Sequence, residues 1–345
     1  MKIVVDDKIP YIMPALKELA DEVVAKSGSD ICADDVRDAY ILIVRTRTRV
    51  NRQLLEGSSV RLVVTATIGY DHLDTDYLRE ANIKWTNCPG CNATSVAQYV
   101  GNSLLLLKRD RGLDISQSTI GIVGVGHVGM AVLEKAKSLG FKKIMLNDPP
   151  RKDRGDVAPY GLQWSSLYRL CKDADVITFH TPLTYLRPYP TYHLADTVFF
   201  THLQRKPIII NAARGGVVDE AALLDAMDNG RVRESVIDTW EGEPAINREL
   251  LEKSFIATPH VAGYSADGKA NATRMTLAAV CRFLGRPMTF VIEPPELLSD
   301  IIWSDDADER ALQLYNPLYD SEPLRLSPET FEKLREDYPL RREQA

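Results

Sequence analysis

The sequence predicts an α/β protein made of two doubly wound parallel-sheet domains, and three observations carry that expectation. Short runs rich in Val and Ile alternate with helical patterns through most of the chain, as they do where parallel strands are covered by helices on both faces. At 345 residues the chain exceeds what one ordinary core supports, so two domains, or three, are expected. One strand runs directly into a Gly-x-Gly-x-x-Gly loop and a helix, the opening of a βαβ unit.

Taken in order, "KIVV", "YILIVR", "RLVVTA" and "IKWT" read as strands in the first ninety residues. "PALKELADEVVAKSG", residues 14–28, reads as one helix closed at Ser27-Gly28, and "LDTDYLREAN" as another. Ser95-x-x-Gln98 has the spacing of a capping box and opens a long helix. That helix is expected to lead from a first domain, residues 1–94, into a second, residues 95–261. There "TIGIVGVG", "KIMLND", "DVITFH", "PIIINAA", "SVIDTW" and "SFIATPH" read as strands. "KANATRMTLAAVCRFLGR" is a helix expected to carry the chain back, so that 262–286 rejoin the first domain. Beyond Pro287 the pattern weakens, and residues 287–345 show one short helix within "SPETFEKLREDYPLRREQA".

Composition excludes several classes. Hydrophobic residues at 45% and charged residues at 26% fit a water-soluble globular chain. No apolar run approaches the roughly 20 residues a membrane helix needs. "MKIVVDDKIPYIMPAL" lacks the apolar core and cleavage site of a signal peptide, so a cytoplasmic location is expected. A net charge of −6 gives no reason to expect nucleic acid or an anionic membrane as partner. The five cysteines are odd in number and scattered, which argues against a disulfide framework. Cys88-x-x-Cys91 has no second Cys/His pair to complete a zinc site, so no metal is expected. A redox dithiol is the weaker alternative for that pair.

Gly124, Gly126 and Gly129 follow the strand "TIGIVG" and open a helix. The first allows the turn, the second lets backbone approach a pyrophosphate, and the third lets helix pack on strand. Amides around His127 and Val128 would then face phosphates at the helix N-terminus. Asp148 closes the next strand, where it would accept from ribose hydroxyls and repel a 2′-phosphate, favouring NAD over NADP. Arg151 and Arg154 soften that preference slightly.

Three later segments, "INAARGGVVDEAALLDAM", "VIDTWEGEP" and "ATPHVAGYS", place polar residues at or just beyond strand ends, where open parallel sheets bind ligands. Oxidising an alcohol carbon requires a base for the hydroxyl proton, a cation to orient a carboxylate, and a partner that tunes the base. His260 is the candidate base, because imidazole titrates near neutrality. Glu243 is expected to hold its second nitrogen. Arg214 offers the fork that binds a carboxylate, and Asp238 is expected to bond the nicotinamide carboxamide or its ribose. In "VRTRTRVN", Arg45, Arg47 and Arg49 recur at period two, which would put them on one face if extended and Thr46 and Thr48 elsewhere.

The glycine loop with "NAARGGVVDEAAL", "DTWEGEP" and "TPHVAGYS" resembles the D-isomer-specific 2-hydroxyacid dehydrogenase family. "VRTRTRVN", "TATIGYDHLD", "PGCNATSVAQYV", "NDPPRKDRGD", "FHTPLT" and "TPHVAGYSADGKA" resemble its branch acting on a phosphorylated four-carbon acid in vitamin B6 synthesis. The resemblance runs from residue 1 to about 290. It implies a flavodoxin-like substrate domain, a Rossmann NAD domain, a short α+β C-terminal dimerisation segment, apparently shortened, and a homodimer. It implies Arg214, Glu243 and His260 in the active site, and Thr46, Thr67 and Tyr264 at a phosphorylated 2-hydroxy acid, here 4-phosphoerythronate. Asp148, Thr181, Asp238 and Gly263 are implied around NAD, with backbone at His127, Val128, Ala212, Ala213 and Arg214. The phosphate would need cations, for which Arg45, Arg47 and Arg49 are the candidates.

Similar enzymes usually lack a cysteine at the position of Cys88, so the Cys-x-x-Cys reads as incidental to the substrate loop. His127 stands where asparagine is common, Thr46 replaces a serine, and Arg47 replaces an apolar residue. Other members of the family, such as phosphoglycerate-type dehydrogenases, are the nearest alternative, and an NAD-sensing corepressor is the alternative of another class.

Overall fold

A computed structural model describes residues 1–296 and 301–343. The chain divides into two compact units, Met1–Asn92 with Ser265–Leu297, and Ala93–Tyr264 with Leu298–Ala345.

In the first unit the order is β1 (Lys2–Asp6), α1 (Met13–Leu19), β2 (Glu22–Lys26), α2 (Ala33–Val36), β3 (Ile41–Val44), α3 (Arg52–Leu55), β4 (Leu62–Thr65), α4 (Thr75–Glu80) and β5 (Lys84–Thr86). The strands form a parallel sheet in the order β2-β1-β3-β4-β5, the flavodoxin-like arrangement. Every residue of β3 and β4 is buried, as continuous apolar strands covered on both faces should be.

The stretch 14–28 departs from expectation: it is a helix followed by a strand. Ala15, Leu16, Leu19, Ala20, Val23 and Val24 keep helical spacing across both elements, so periodicity alone does not reveal the break. The backbone turns extended at Ala20 (φ −132°, ψ 150°), and Glu22–Lys26 pair with β1, Ile3 opposite Val23 and Val4 opposite Val24. The β-branched pair favours the strand, and exposed Glu22 suits an edge.

The second unit runs α5 (Ala93–Arg111), β6 (Thr119–Val123), α6 (His127–Leu139), β7 (Lys143–Asn147), α7 (Pro149–Asp153), α8 (Leu167–Asp173), β8 (Val176–Phe179), α9 (Thr197–Thr201), β9 (Ile208–Asn211), α10 (Glu220–Asp228), β10 (Glu234–Ile237), α11 (Arg248–Lys253) and β11 (Ile256–Ala257). Its six parallel strands lie in the order β11-β10-β9-β8-β6-β7. Val123, Asn147, Phe179, Asn211, Ile237 and Ala257 are strand-final residues in mutual register, so the loops that follow all leave from one edge. The order reverses between β6 and β8, the kind of switch point where doubly wound sheets bind ligands.

α5 begins two residues before the expected capping box, and Ser95 and Gln98 lie inside it. Ser95 Oγ donates to Glu343 at 2.6 Å and Gln98 Nε2 to the Arg342 carbonyl at 2.9 Å, so both side chains serve the C-terminal segment instead of capping. α12 (Ala266–Leu284) returns the chain to the first unit and ends at left-handed Gly285. The crossings therefore fall at 92/93 and 264/265, two or three residues from the expected boundaries.

The described C-terminal residues, 301–343, are not a third compact unit, since they group with the second. Their described part is helical, α13 (Ala307–Leu314), α14 (Leu318–Leu326) and α15 (Phe331–Glu336), where one helix was expected and β structure with it. Each is short and rests on few buried apolar groups, Leu312, Leu324 and Phe331, which leaves little periodic signal. Among the described residues no helix is long and apolar enough to cross a membrane.

Candidate active site

The glycine loop leaves β6 at the switch point. Gly124 has φ +84°, and a Cβ there would lie 2.8 Å from the His180 carbonyl group and 2.9 Å from the Thr181 methyl. Gly129 admits the Gly124 carbonyl against α6, where a side chain would collide. Gly126, the N-cap of α6, is different, because a Cβ would meet no protein atom within 4 Å. Protein packing therefore gives no reason for a glycine at 126, whereas close approach by a phosphate does. Exposed His127 and half-buried Val128 form the first turn beside it. Thr181, after β8, keeps a buried hydroxyl with no partner, as a ligand-binding group would. These residues fit a dinucleotide.

Asp148 caps α7, with Oδ1 accepting from the Arg151 amide at 3.1 Å and Oδ2 from the Val125 amide at 2.8 Å. It thus braces the glycine loop. Arg151 donates to the Val125 carbonyl at 2.7 Å and pairs with Asp156, so its charge is engaged within the loop, and Arg154 pairs with Asp156 too.

Further along the same edge, Arg214 follows β9 after half-buried Ala212 and buried Ala213. Its Nη1 donates to the Ala213 carbonyl at 2.8 Å, and its own carbonyl accepts from Asn211 Nδ2 at 3.0 Å. A Cβ at Gly215 would collide with the Trp240 carbonyl, so glycine there brings the Arg214 loop against the segment carrying Glu243. His260 follows β11 with φ +57°, a left-handed conformation costly for a side chain with a Cβ. Its Nδ1 meets Glu243 Oε2 at 2.8 Å and Oε1 at 3.1 Å. Glu243 also accepts from the Trp240 amide at 2.8 Å. Burial alone would raise this carboxyl, but its bond to His260 and the neighbouring charges win, and it lies below the ordinary carboxylate range. The carboxylate fixes Nδ1 and leaves Nε2 to work. Arg214, Glu243 and His260 line one cavity of about 260 Å³ with Tyr192, Trp240 and Glu241.

Asp238, expected at the nicotinamide carboxamide or its ribose, engages its carboxylate within the protein. It is 1% exposed, Oδ1 accepts from Thr258 Oγ1 and the Val261 and Ala262 amides, and Oδ2 accepts again from Ala262. It ties down the turn that carries His260. Half-buried Gly263 and Tyr264 complete that turn, the Tyr264 ring edge-on to Tyr338 at 5.8 Å.

The remaining candidates belong to the first unit. Arg45–Arg49 are not extended: β3 ends at Val44 and residues 45–48 turn. Thr48 donates to the Gly28 carbonyl at 2.8 Å and is buried, so the turn closes on itself and breaks the period-two face. Arg45 pairs at 3.3 Å with buried Asp6, while Thr46, Arg47 and Arg49 are exposed. Thr67 bonds Thr65 at 2.7 Å and the Gly69 carbonyl at 2.8 Å. Cys88 and Cys91 are free and buried, with burial raising Cys88 and pushing Cys91 up to about 12. Such thiols are poor nucleophiles, so a redox dithiol does not fit. Among the described residues no His/Cys/Asp/Glu group suits a metal.

Sequence reasoning missed Glu220, His193 and Arg335. Glu220 Oε1 accepts from the Glu241 amide at 2.7 Å, and burial pushes its carboxyl up to about 7. His193 stacks on Tyr192 (3.9 Å, 16°) and meets Glu241 at 3.0 Å. Arg335, on α15, stands within electrostatic reach of Glu243 and Tyr264. None has a local motif; acidic "DE" at 219–220 reads simply as a helix start.

Known proteins resemble the chain in sequence and in fold. Residues 97–262 match "D-isomer specific 2-hydroxyacid dehydrogenase, NAD binding domain". The chain is 52% identical over 345 residues to an erythronate-4-phosphate dehydrogenase of Bacteroides thetaiotaomicron, covering all of this chain and 97% of the relative. It is 50% identical over 344 residues to one from Bacteroides fragilis, with the same coverage. In fold it matches the holo form of Rhodotorula graminis D-mandelate dehydrogenase, with TM-score 0.70, 20% identity, and coverage of 86% of this chain and 99% of the other. The chain belongs to the D-isomer-specific 2-hydroxyacid dehydrogenase family, and its second unit carries that family's NAD-binding domain.

Proposed function

We propose that the protein oxidises 4-phospho-D-erythronate to (R)-3-hydroxy-2-oxo-4-phosphooxybutanoate, a step of pyridoxal 5′-phosphate synthesis, using NAD. The observation that carries the chemistry is the His260–Glu243 pair, 2.8 Å apart, lining one cavity with Arg214 at the sheet edge. The substrate is supported by relatives named erythronate-4-phosphate dehydrogenase at 52% and 50% identity. NAD, when bound, supplies the hydride acceptor. Gly126 and the first turn of α6 would receive its pyrophosphate, Thr181 and Asp148 would meet its polar groups, and Gly263 and backbone at Ala212–Arg214 would border it.

In this reading Arg214 binds the substrate carboxylate and polarises the forming carbonyl, with its guanidinium fork matched to two oxygens. His260 Nε2 takes the C2 hydroxyl proton, and Glu243 stabilises the resulting imidazolium through Nδ1. Thr46, Thr67 and Tyr264 are substrate contacts in the same proposal, and Arg45, Arg47 and Arg49 are candidates for the phosphate. Arg45, already paired with Asp6, is the weakest of these. The protein is proposed to work in the cytoplasm as a homodimer, with residues 287–345 contributing the contact.

The test is a substrate panel with NAD, following NADH absorbance for 4-phosphoerythronate, 3-phosphoglycerate and unphosphorylated 2-hydroxy acids, with a 2-oxo acid acceptor present. Preference for 4-phosphoerythronate is expected. Turnover of other acids alone would refute the substrate, and tight NAD binding without turnover would favour a sensing role. Arg47→Ala is expected to raise KM for phosphorylated substrate by about tenfold, the loss of one exposed charged contact, and to leave unphosphorylated acids alone.

A further inference from the structure

The turn that carries His260 is gripped from both sides. Asp238 takes the amide hydrogens of Val261 and Ala262. The carbonyls of the same two residues point the other way, to Arg341 in the C-terminal segment. Arg341 Nη1 donates to Val261 O at 3.1 Å and Tyr264 O at 2.6 Å, and Nη2 to Ala262 O at 2.6 Å. Nη2 also reaches Ser95 O at 3.3 Å, Nε reaches Gln98 Oε1 at 2.9 Å, and Nη1 reaches the Tyr338 hydroxyl at 3.0 Å.

Arg341 is 8% exposed and lies 3.8 Å over the Tyr315 ring. Its charge is balanced through hydroxyls: Tyr315 and Tyr338 each donate to buried-side Asp320 at 2.8 Å. Burying a guanidinium is costly unless its donors are filled, and a group that serves only stability is more readily replaced by apolar packing. What this one has that an apolar residue lacks is a planar fork that reads three carbonyls of one turn.

We propose that Arg341 is a positioning residue for the acid/base: its fork holds residues 261–264 so that His260 keeps its left-handed backbone and its imidazole stays on Glu243. His260 has φ +57°, a conformation that relaxes to negative φ unless its neighbours prevent it. Asp238 holds the amides but no carbonyl of that turn. Asp238 holds the 260–261 and 261–262 peptide planes by their amide edges, and Arg341 adds the carbonyl edge of the second plane and the carbonyls of Ala262 and Tyr264. Without it the turn loosens from its far end, and that shift, carried back through residues 261–262, moves the His260 ring against the carboxylate. The contacts lie just inside the second unit at both crossings of the chain, at Ser95 and Tyr264.

The inference rests on His260 as acid/base, and its test separates the two. Arg341→Met keeps bulk and removes the fork; Arg341→Lys keeps charge without the fork. For each, kcat on the acid that wild type turns over best, NADH affinity by fluorescence, and the downfield proton signal of the His260 Nδ1–H bonded to Glu243 are compared with wild type. Both variants are expected to lose about 100-fold in kcat, the order of effect of a 1 Å misplacement, with NADH affinity held within about threefold. The downfield signal is expected to vanish or shift. Lysine recovering thermal stability without recovering kcat would be the signature of the fork.

Wild-type kcat with an unshifted signal in Arg341→Met would overturn the proposal, as would parallel loss of NADH affinity and kcat. If Arg341→Met does not fold, Tyr338→Phe removes one hydroxyl that orients the guanidinium. It is expected to lower kcat several-fold with the same change in the signal, and no change in either refutes the role. Wild type inert on every acid defeats the proposed function, while the proton signal still reads whether Arg341 holds His260.

Discussion

His180 and His260 both follow strands at one edge of the second sheet, yet their surroundings make them opposite in kind. His260 keeps 27% of its side chain exposed and shares its Nδ1 with a carboxylate. Among the described residues His180 has no acidic partner: Nε2 meets the buried Thr178 hydroxyl at 2.9 Å and Nδ1 meets no hydrogen-bonding group. Burial alone pushes His180 down to about 3, so it stays neutral throughout the physiological range. A histidine built to move a proton needs solvent or substrate on one nitrogen and charge on the other. A histidine that fills space beside a ligand loop needs neither. The difference lies in what each ring meets, the Glu243 carboxylate in one case and the hydroxyl of Thr178, on β8 itself, in the other.

His260→Asn is expected to have the largest effect. Turnover is expected to fall by about 10³–10⁴, the upper part of what a general base contributes, with NADH affinity nearly unchanged by fluorescence titration. Equal losses in both would mean that His260 serves binding. Glu243→Gln comes next, with an expected fall of about 10² in kcat and little change in KM, because the partner acts through the imidazole.

His180→Asn should have a smaller effect on turnover, within about tenfold, and a distinctive one on stability. The unfolded chain takes up a proton near 6.5, whereas the folded one resists until about 3. Wild type therefore loses stability as pH falls from 6.5 toward 3, and the variant lacks that loss. Urea unfolding at pH 5 and pH 7.5 is expected to show the stability difference moving in the variant's favour at pH 5 by about 1 kcal/mol. A pH-independent difference would mean that the ring is solvated.

How much of this was legible in sequence depended on whether the determinant was local. The strand-final positions were, because Val/Ile runs followed by Gly124, Arg214, Glu243 and His260 need no distant partner to be recognised. β2 was not, because the apolar spacing of α1 continues through Ala20 and Asp21 without a Gly or Pro to mark the break. The Ser95–Gln98 capping box failed for a tertiary reason, since residues 341–343 claim both side chains and their neighbours. The arginine face at 45–49 failed because Thr48 closes the turn on Gly28 twenty positions away. Arg341 left no trace at all: four of its partners are backbone carbonyls, which every residue has.

Glu220 extends the contrast from histidines to carboxylates and gives the smallest expected effect. It sits 7% exposed with one oxygen on the Glu241 amide, near Asp219, Glu241 and Glu243. Burial pushes its carboxyl up to about 7, the opposite direction from Glu243, which has His260 to hold it down. Between pH 4.5 and 7 the folded protein thus keeps a proton that the unfolded chain has released, so stability falls as pH rises through that window. Glu220→Gln preserves an acceptor for the Glu241 amide and cannot ionise. At pH 4.5 variant and wild type should unfold nearly together; at pH 8 the variant should be more stable by about 1–2 kcal/mol, less than the whole shift implies because solvent reaches Asp219 and Glu241. A gap that stays constant between the two pH values would show that Glu220 ionises in the fold as it does in the unfolded chain, adding a further negative charge beside Glu241 and Glu243 at neutral pH.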